Sequence, residues 1–395
     1  MSPAPSQTAL TEYRFRLLPY LIALLLAALS ASAPAPTPQP APPPGTPAGQ
    51  LLLQAADTPF SMRVLIVAGS PEEMGRQLGR QGATAIRQAA GQAWRACGLS
   101  RPDSWRACRA RVAALRAILP ADLLEEARGL ALGAGVSDAD ILLLNSVAAG
   151  AEGAAFAAWG QATLDEQIFL GAASPLALTD PAAALWVMRR PAMGRPTMLL
   201  SRPGWLGGWA GASAERLVGI AIAAASADRQ DAGLPAQIAL RLALEEAAAP
   251  EEGITTLLRM RHAGGAQMLF AGERSDAAGL ELSAHQYRRL PAALDTLITV
   301  GLYRDAGLSQ TQTAALPAEE IAAAQARWDR GEALARANVG WIGADKALLA
   351  LHELAPARDS VLLLFAPAAE QIWIGPAGNN LLNLHLGDLF SSANP

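Results

Sequence analysis

Ala151-Glu152-Gly153-Ala154-Ala155-Phe156-Ala157-Ala158-Trp159-Gly160 marks the point where the character of this chain changes. Before it, apolar residues recur at helical spacing; after it, they come in short runs broken by Gly, Pro and Asp. Upstream, residues 63–68 form a short β-branched run that predicts a strand. Ser70-Pro71-Glu72-Glu73 then opens a helix, with Ser70 as cap, Pro71 in the first turn and Glu73 completing a capping box. Gly75, Gly79 and Gly82 within that helix call for close approach to another segment. Further helices are expected at 105–118, from Pro120 to 132, and at 141–145, the last capped by Ser137-Asp138-Ala139-Asp140. Downstream, strands are expected at 167–171, 184–189, 197–201, 217–224, 267–271, 278–283, 296–300, 360–366 and 370–375. Helices are expected at 233–249, 251–262, 317–337 and 344–353. An α-rich front, a β-rich centre and a mixed end predict an α+β fold, a layered domain with two sheets.

The chain has 395 residues, enough for a sizeable core. Hydrophobic residues make up 51% but aromatics only 5%, so small side chains dominate and favour helix. The net charge is −4 and no basic cluster stands out. That argues against nucleic acid or an anionic membrane as the main partner. His262, His285, His352 and His385 are scattered without metal-ligand spacing, so no metal is expected, and no cofactor. Neither a Gly-x-Ser-x-Gly elbow nor a P-loop occurs.

At the N-terminus Arg14 and Arg16 precede an apolar run, 17–29, followed by Ser30-Ala31-Ser32-Ala33. A basic region, a short apolar region and an Ala-x-Ala end read as a secretory signal over 1–33. Pro34 beside Ala33 is a poor context for cleavage, so the signal is either cut nearby or kept as a membrane anchor. Residues 34–50 are Pro-rich and read as an extended spacer, leaving a folded domain over 51–390. Export favours a disulfide between the two cysteines, Cys97 and Cys108, across the turn that separates two helices. Two buried free thiols are the other reading.

Several passages share an order and a spacing. The first is Gly69-Ser70-Pro71-Glu72-Glu73-Met74-Gly75-Arg76-Gln77-Leu78-Gly79. The second runs from Glu126-Ala127-Arg128-Gly129 to Gly133-Ala134-Gly135-Val136, then Asp140-Ile141-Leu142-Leu143-Leu144-Asn145. The third is Phe156-Ala157-Ala158-Trp159-Gly160 with Thr163 and Asp165. Pro203-Gly204-Trp205-Leu206-Gly207 and Gly233-Leu234-Pro235 with Arg241 and Glu245 complete the set. Over roughly residues 63–375 the chain resembles the acyl-coenzyme A:6-aminopenicillanate acyltransferase family of cysteine-type autoproteolytic N-terminal-nucleophile (Ntn) hydrolases. The resemblance implies a four-layer αββα sandwich and amide hydrolysis or acyl transfer. It also implies a precursor that cuts itself before a Cys, whose freed amine becomes the base.

The chain departs from the family at the chemical positions. The nucleophile falls at Gly153 or Ala154. The Gly-Arg-Asn-aromatic-Asp element falls on Gly171-Ala172-Ala173-Ser174-Pro175, with Ala173 and Pro175 at polar positions. The Gly-Met-Asn-Glu-x-Gly element falls on Gly211-Ala212-Ser213-Ala214-Glu215-Arg216, and the expected Asn-His pair reads Gly301-Leu302. Scaffold motifs without their polar site predict an exported, catalytically inactive binding or structural module. The alternative is an active amidase or acyltransferase with an unrecognised nucleophile, of which Ser174 is the nearest candidate. A surviving pocket is expected beside Ala154, Ala155, Phe156, Ser174 and Trp205, with Arg216 as a further binding candidate. Its expected ligand is a small apolar or acyl compound.

Overall fold

The computed structural model describes residues 49–54, 61–99, 104–146, 152–175, 185–274, 276–358, 360–377 and 381–391. The expected signal and the spacer as far as residue 48 lie outside these. Strands β1 (Gly49–Gln54) and β2 (Ser61–Gly69) lead into helices α1 (Pro71–Leu99), α2 (Ser104–Ile118), α3 (Ala121–Ala134) and α4 (Asp138–Asn145). Strands β3 (Ala154–Ala158), β4 (Phe169–Ser174), β5 (Leu185–Pro191), β6 (Thr197–Ser201), β7 (Ala210–Ser213) and β8 (Val218–Ala223) follow. After α5 (Ala236–Glu246) and α6 (Pro250–Leu258) come β9 (Ala266–Ala271), β10 (Ala277–Leu282), β11 (Tyr287–Arg289) and β12 (Thr296–Thr299). Next are α7 (Ala306–Thr313), α8 (Ala318–Ala337) and α9 (Ala344–Leu354). The chain then forms β13 (Val361–Ala366), β14 (Gln371–Pro376), β15 (Leu382–His385) and α10 (Leu386–Ser391). β1 takes up Gly49 and Gln50, the last two residues of the expected spacer.

Nine strands form one sheet in the order β1-β2-β5-β6-β7-β8-β9-β10-β11, and six form a second in the order β12-β3-β4-β13-β14-β15. Among the strands of the described residues, β2 and β5 are the one parallel pair. The inner faces meet where β3 and β4 lie against β8 and β9. There Leu170, Trp186, Met188, Ile220, Leu363 and Phe365 fill one core. On the far face of the larger sheet, α1 covers β2 and β5, α5 covers β6–β8, and α6 covers β9 and β10. On the far face of the smaller sheet, α9 covers β3, β4 and β13, and α8 covers β12. The expected four-layer αββα sandwich is therefore present. β3, β4, β6, β9 and β13 are buried along their whole length. That is why they read as continuous apolar runs rather than alternating ones. Among the described residues no helix is long and apolar enough to cross a membrane.

The glycines of the two upstream motifs explain each other. A Cβ on Gly75 would sit 2.1 Å from the Glu126 carbonyl oxygen, and one on Gly79 2.3 Å from that of Leu130. Reciprocally, a Cβ on Gly129 would meet Glu72 O at 2.1 Å, and one on Gly133 would meet Arg76 O at 2.3 Å. Each pair is four residues apart, so each helix offers one bare stripe and the backbones of α1 and α3 touch along it. Gly82 is less crowded, with Ile86 Cδ1 at 3.2 Å. The expected capping box is formed: Ser70 N–H and Oγ each donate to Glu73 Oε2 at 2.8 Å. Cys97 and Cys108 are joined by a disulfide that ties α1 to α2.

Other motif residues also do scaffold work. Glu126, fully buried on α3, takes Arg189 of β5 at 2.9 Å and Arg241 of α5 at 2.7 Å, and Arg241 reaches Glu245 at 2.7 Å. Burial alone would raise the Glu126 pKa, but the two guanidiniums outweigh it and hold it below the usual carboxylate range. Buried Asn145 closes α4 onto the 204–206 turn. Its amide donates to Ile141 O and Gly204 O, and its oxygen accepts from Leu206 N, all at 2.8 Å.

Candidate functional site

Antiparallel pairing brings the start of β3, the end of β4, the end of β8, the start of β9 and the end of β12 to one end of the sandwich. A cleft of about 470 Å³ opens there, roofed by α8. Gly153 and Pro175 border it from the smaller sheet, Ala223–Ala225 and Gly265 from the larger. Gly301 and Leu302 form its floor, and α8 contributes Glu320, Ala323, Ala324 and Arg327. The size falls in the range of small-molecule sites, roughly 300–1,000 Å³. Glu152, Arg229, Glu320 and Arg327 give it charged walls.

Three of the four elements at which the sequence departs from the family it resembles converge here: Gly153-Ala154, Ala173 to Pro175, and Gly301-Leu302. At Gly153 the backbone adopts φ 150°, a conformation that favours glycine. A Cβ there would stand 2.1 Å from the Ala173 carbonyl oxygen, so the position at the cleft edge has no room for any side chain. Ala154 is fully buried in β3. Ser174, next to Pro175 on the border, is also fully buried, and its hydroxyl has no hydrogen-bond partner among the described residues. Among the described residues, none that lines the cleft is Ser, Thr, Cys, His, Tyr or Lys.

The fourth element lies elsewhere. β7 pairs antiparallel with β8, so Ser213 falls beside Val218, at the opposite end of the sheet from Ala223. Arg216 sits in the β7–β8 turn at φ 62°, pairing with Glu273 at 3.0 Å and with Glu370. That left-handed turn suits a glycine at this position, independently of any chemistry. The remaining binding candidates do not line the cleft. Phe156 is wholly enclosed against α9 and the smaller sheet, and Trp205 packs under the Arg202 guanidinium at 5.1 Å. In place of the lining expected from Ala154, Ala155, Phe156, Ser174 and Trp205, the cleft has glycine, alanine and four charges beside a smaller apolar part of Val300, Leu302 and Leu316. The reason is that β3 and β4 bury both of their faces between the inter-sheet core and the helices.

A buried polar clamp that the sequence did not single out holds the floor. Gln267 donates to Leu302 O at 2.7 Å and to Glu281 at 2.8 Å, and accepts from Gly301 N at 3.0 Å. Gln312 donates to Gly301 O at 2.6 Å and accepts from Tyr303 N at 2.9 Å. Glu281 accepts from Arg304 N at 2.7 Å and Asp305 N at 3.0 Å. Burial raises the Glu281 pKa despite these donors. The loop at 301–305 is therefore fixed by side chains from β9, β10 and α7, which are separated in sequence and share no motif.

Elsewhere Asp228 orients His285, with Nδ1 at 2.6 Å from Oδ1, and accepts from Ser283 Oγ at 2.5 Å. His262 is buried, its Nε2 2.8 Å from Leu257 O, and burial lowers its pKa. Among the described residues no group of three or more His, Cys, Asp or Glu is arranged to hold a metal ion.

No family model and no curated protein sequence matches the chain. Solved structures do resemble it. A mutant of conjugated bile acid hydrolase from Clostridium perfringens aligns at TM-score 0.42 and 10% identity, over 60% of this chain and 93% of that one. Penicillin V acylase from Agrobacterium tumefaciens aligns at 0.40 and 12%, over 59% and 86%. The Caenorhabditis elegans ortholog of N-acylethanolamine-hydrolyzing acid amidase aligns at 0.38 and 14%, over 54% and 93%. At these scores the likeness identifies no family and transfers no residue role.

Proposed function

We propose that the chain is an exported Ntn-hydrolase-like protein that has lost acyl-transfer chemistry and keeps the cleft as a binding site for a small ligand with an apolar or acyl part. Gly153 carries the reading: at this one of the two positions where the family's nucleophile would stand, the backbone conformation and the Ala173 carbonyl together exclude a side chain, and the other, Ala154, presents only a buried methyl group. Among the described residues the cleft walls supply no hydroxyl, thiol, imidazole or amine to take its place. Export is supported by the basic, apolar and Ala-x-Ala order of the N-terminus and accords with the Cys97–Cys108 disulfide.

Intact-mass measurement on natively purified protein tests the loss of chemistry. The expected result is a chain uncut between residues 146 and 160. A new N-terminus at Gly153 or Ala154, formed without added protease, would instead establish an active amidase or acyltransferase. The Gly153→Cys variant is also expected to remain uncut, because the added side chain strains the strand rather than meeting a prepared site.

A further inference from the structure

We propose that the cleft takes a monocarboxylate with an apolar body, its carboxylate held by Arg327. The proposal rests on reading the cleft as a retained binding site, and it names the ligand's chemical class. Glu320, Ala323, Ala324 and Arg327 follow one another at i, i+3, i+4 and i+7, so α8 turns one face to the cleft. Its two charges stand two turns apart, about 10 Å along the axis, with only alanine between them. The facing wall is equally bare, made of Gly153, Gly265 and Gly301.

The four charged groups are not equivalent. Glu152 and Glu320 are exposed and solvated, and Glu152 lies within electrostatic reach of Arg202. Arg229 is exposed, and its Nε donates to Ser226 O at 3.0 Å. Arg327 is half-buried; its Nε is sealed from water and has no hydrogen-bond partner. Among the described residues no carboxylate lies within ion-pair distance of it. Burial and the neighbouring charge of Arg330 both lower its pKa, yet a guanidinium stays protonated. The sealed Nε is out of a ligand's reach, but the two Nη atoms take part in no ion pair among the described residues, and a carboxylate in the cleft can pair with both.

An apolar wall adjoins this charge: Val300, Leu302 and Ala324 belong to one buried cluster, with Leu316 packed against it. A second negative charge would face Glu152 and Glu320, which favours a monoanion over phosphate.

The test is calorimetric titration of the natively purified full chain with sodium octanoate and with octanamide, its neutral counterpart. Octanoate is expected to bind at least about ten-fold more tightly, the scale of one charge-assisted hydrogen bond. Arg327→Gln should bring octanoate down to the octanamide level and leave octanamide unchanged. Arg327→Lys should retain part of the preference, and Arg229→Gln all of it. Inorganic phosphate should not displace octanoate. Equal binding of octanoate and octanamide by the unmodified protein would overturn the carboxylate assignment and leave the apolar-ligand reading standing. A preference that survives Arg327→Gln in a variant that melts normally would also overturn it, as would displacement by phosphate. Binding of neither compound would remove the binding-site reading itself.

Discussion

Replacing Gly129 with alanine should destabilise the protein although alanine is the better helix former. Helix propensity alone predicts a gain of about 1 kcal/mol. The crossing of α1 and α3 predicts the opposite. The new Cβ would lie 2.1 Å from Glu72 O and 2.9 Å from both Glu72 C and Arg76 N. All three atoms are backbone, so no rotamer change relieves them. A carbon–oxygen contact needs about 3.3 Å, so the helices must part by roughly 1.2 Å. That parting also loosens the contacts at Gly75, Gly79 and Gly133. Overpacking of this kind costs about 1–3 kcal/mol, and a clash with rigid backbone belongs at the upper end. Less the propensity gain, the net loss is about 2 kcal/mol, a fall in melting temperature of about 3 °C for a folded part of about 340 residues. Gly91→Ala is the internal control, because on α1, the helix that Gly129 packs against, its Cβ would meet only the Arg95 Nη2 atom, at 3.9 Å. It should raise the melting temperature. Thermal melts followed by circular dichroism compare the two variants. A Gly129→Ala protein that melts at or above the unmodified protein would refute the close-crossing argument.

Glu126→Gln should cost about 3–5 kcal/mol, because it leaves the buried guanidiniums of Arg189 and Arg241 without their shared carboxylate; denaturant titration measures this, and a loss below about 1 kcal/mol would contradict it. Reducing the Cys97–Cys108 bond, which closes a loop with a sequence separation of 11, should cost roughly 3 kcal/mol. Melts with and without reductant should differ, and alkylation of unreduced protein should find no free thiol. Although burial works against it, the hydrogen bonds from Ser283 and His285 hold the Asp228 pKa below its usual value. Its contribution to stability is therefore present above the unfolded carboxylate value, about pH 4, and is lost as pH falls through the lower folded value. Asp228→Asn should flatten that acid limb of the stability profile, and an unchanged limb would show that Asp228 does not shape it.

Much of the fold was legible because local chemistry and final geometry agree. Ser70 and Glu73 announce a capped helix, and runs such as 197–201 and 361–366 read as strands because both of their faces are covered. Gly75 and Gly79 announced a close approach, though not its partner. β7, with the sequence Ala-Gly-Ala-Ser, and α7, with Ala-Gly-Leu-Ser-Gln-Thr-Gln-Thr, carry no periodic signal and were not anticipated. The site was half legible. Gly153, Ala173, Pro175 and Gly301 do meet, because β3 pairs with both β4 and β12 and brings their ends together. Ser213 and Arg216 do not join them, because strand direction decides which end of a sheet a residue occupies. Arg327 went unnoticed because its place depends on how α8 packs on β12 and on which distant segments, near Gly153, Pro175 and Ala223, share the cleft with it.

The conformation at Gly153 makes this edge of the cleft intolerant of change. A glycine at φ 150° lets the chain close onto Ala173, so any substitution here meets a steric barrier, and the backbone must move before a side chain can be added. Variation at the cleft is thereby channelled toward its walls, where Arg229, Glu320 and Arg327 can change one at a time.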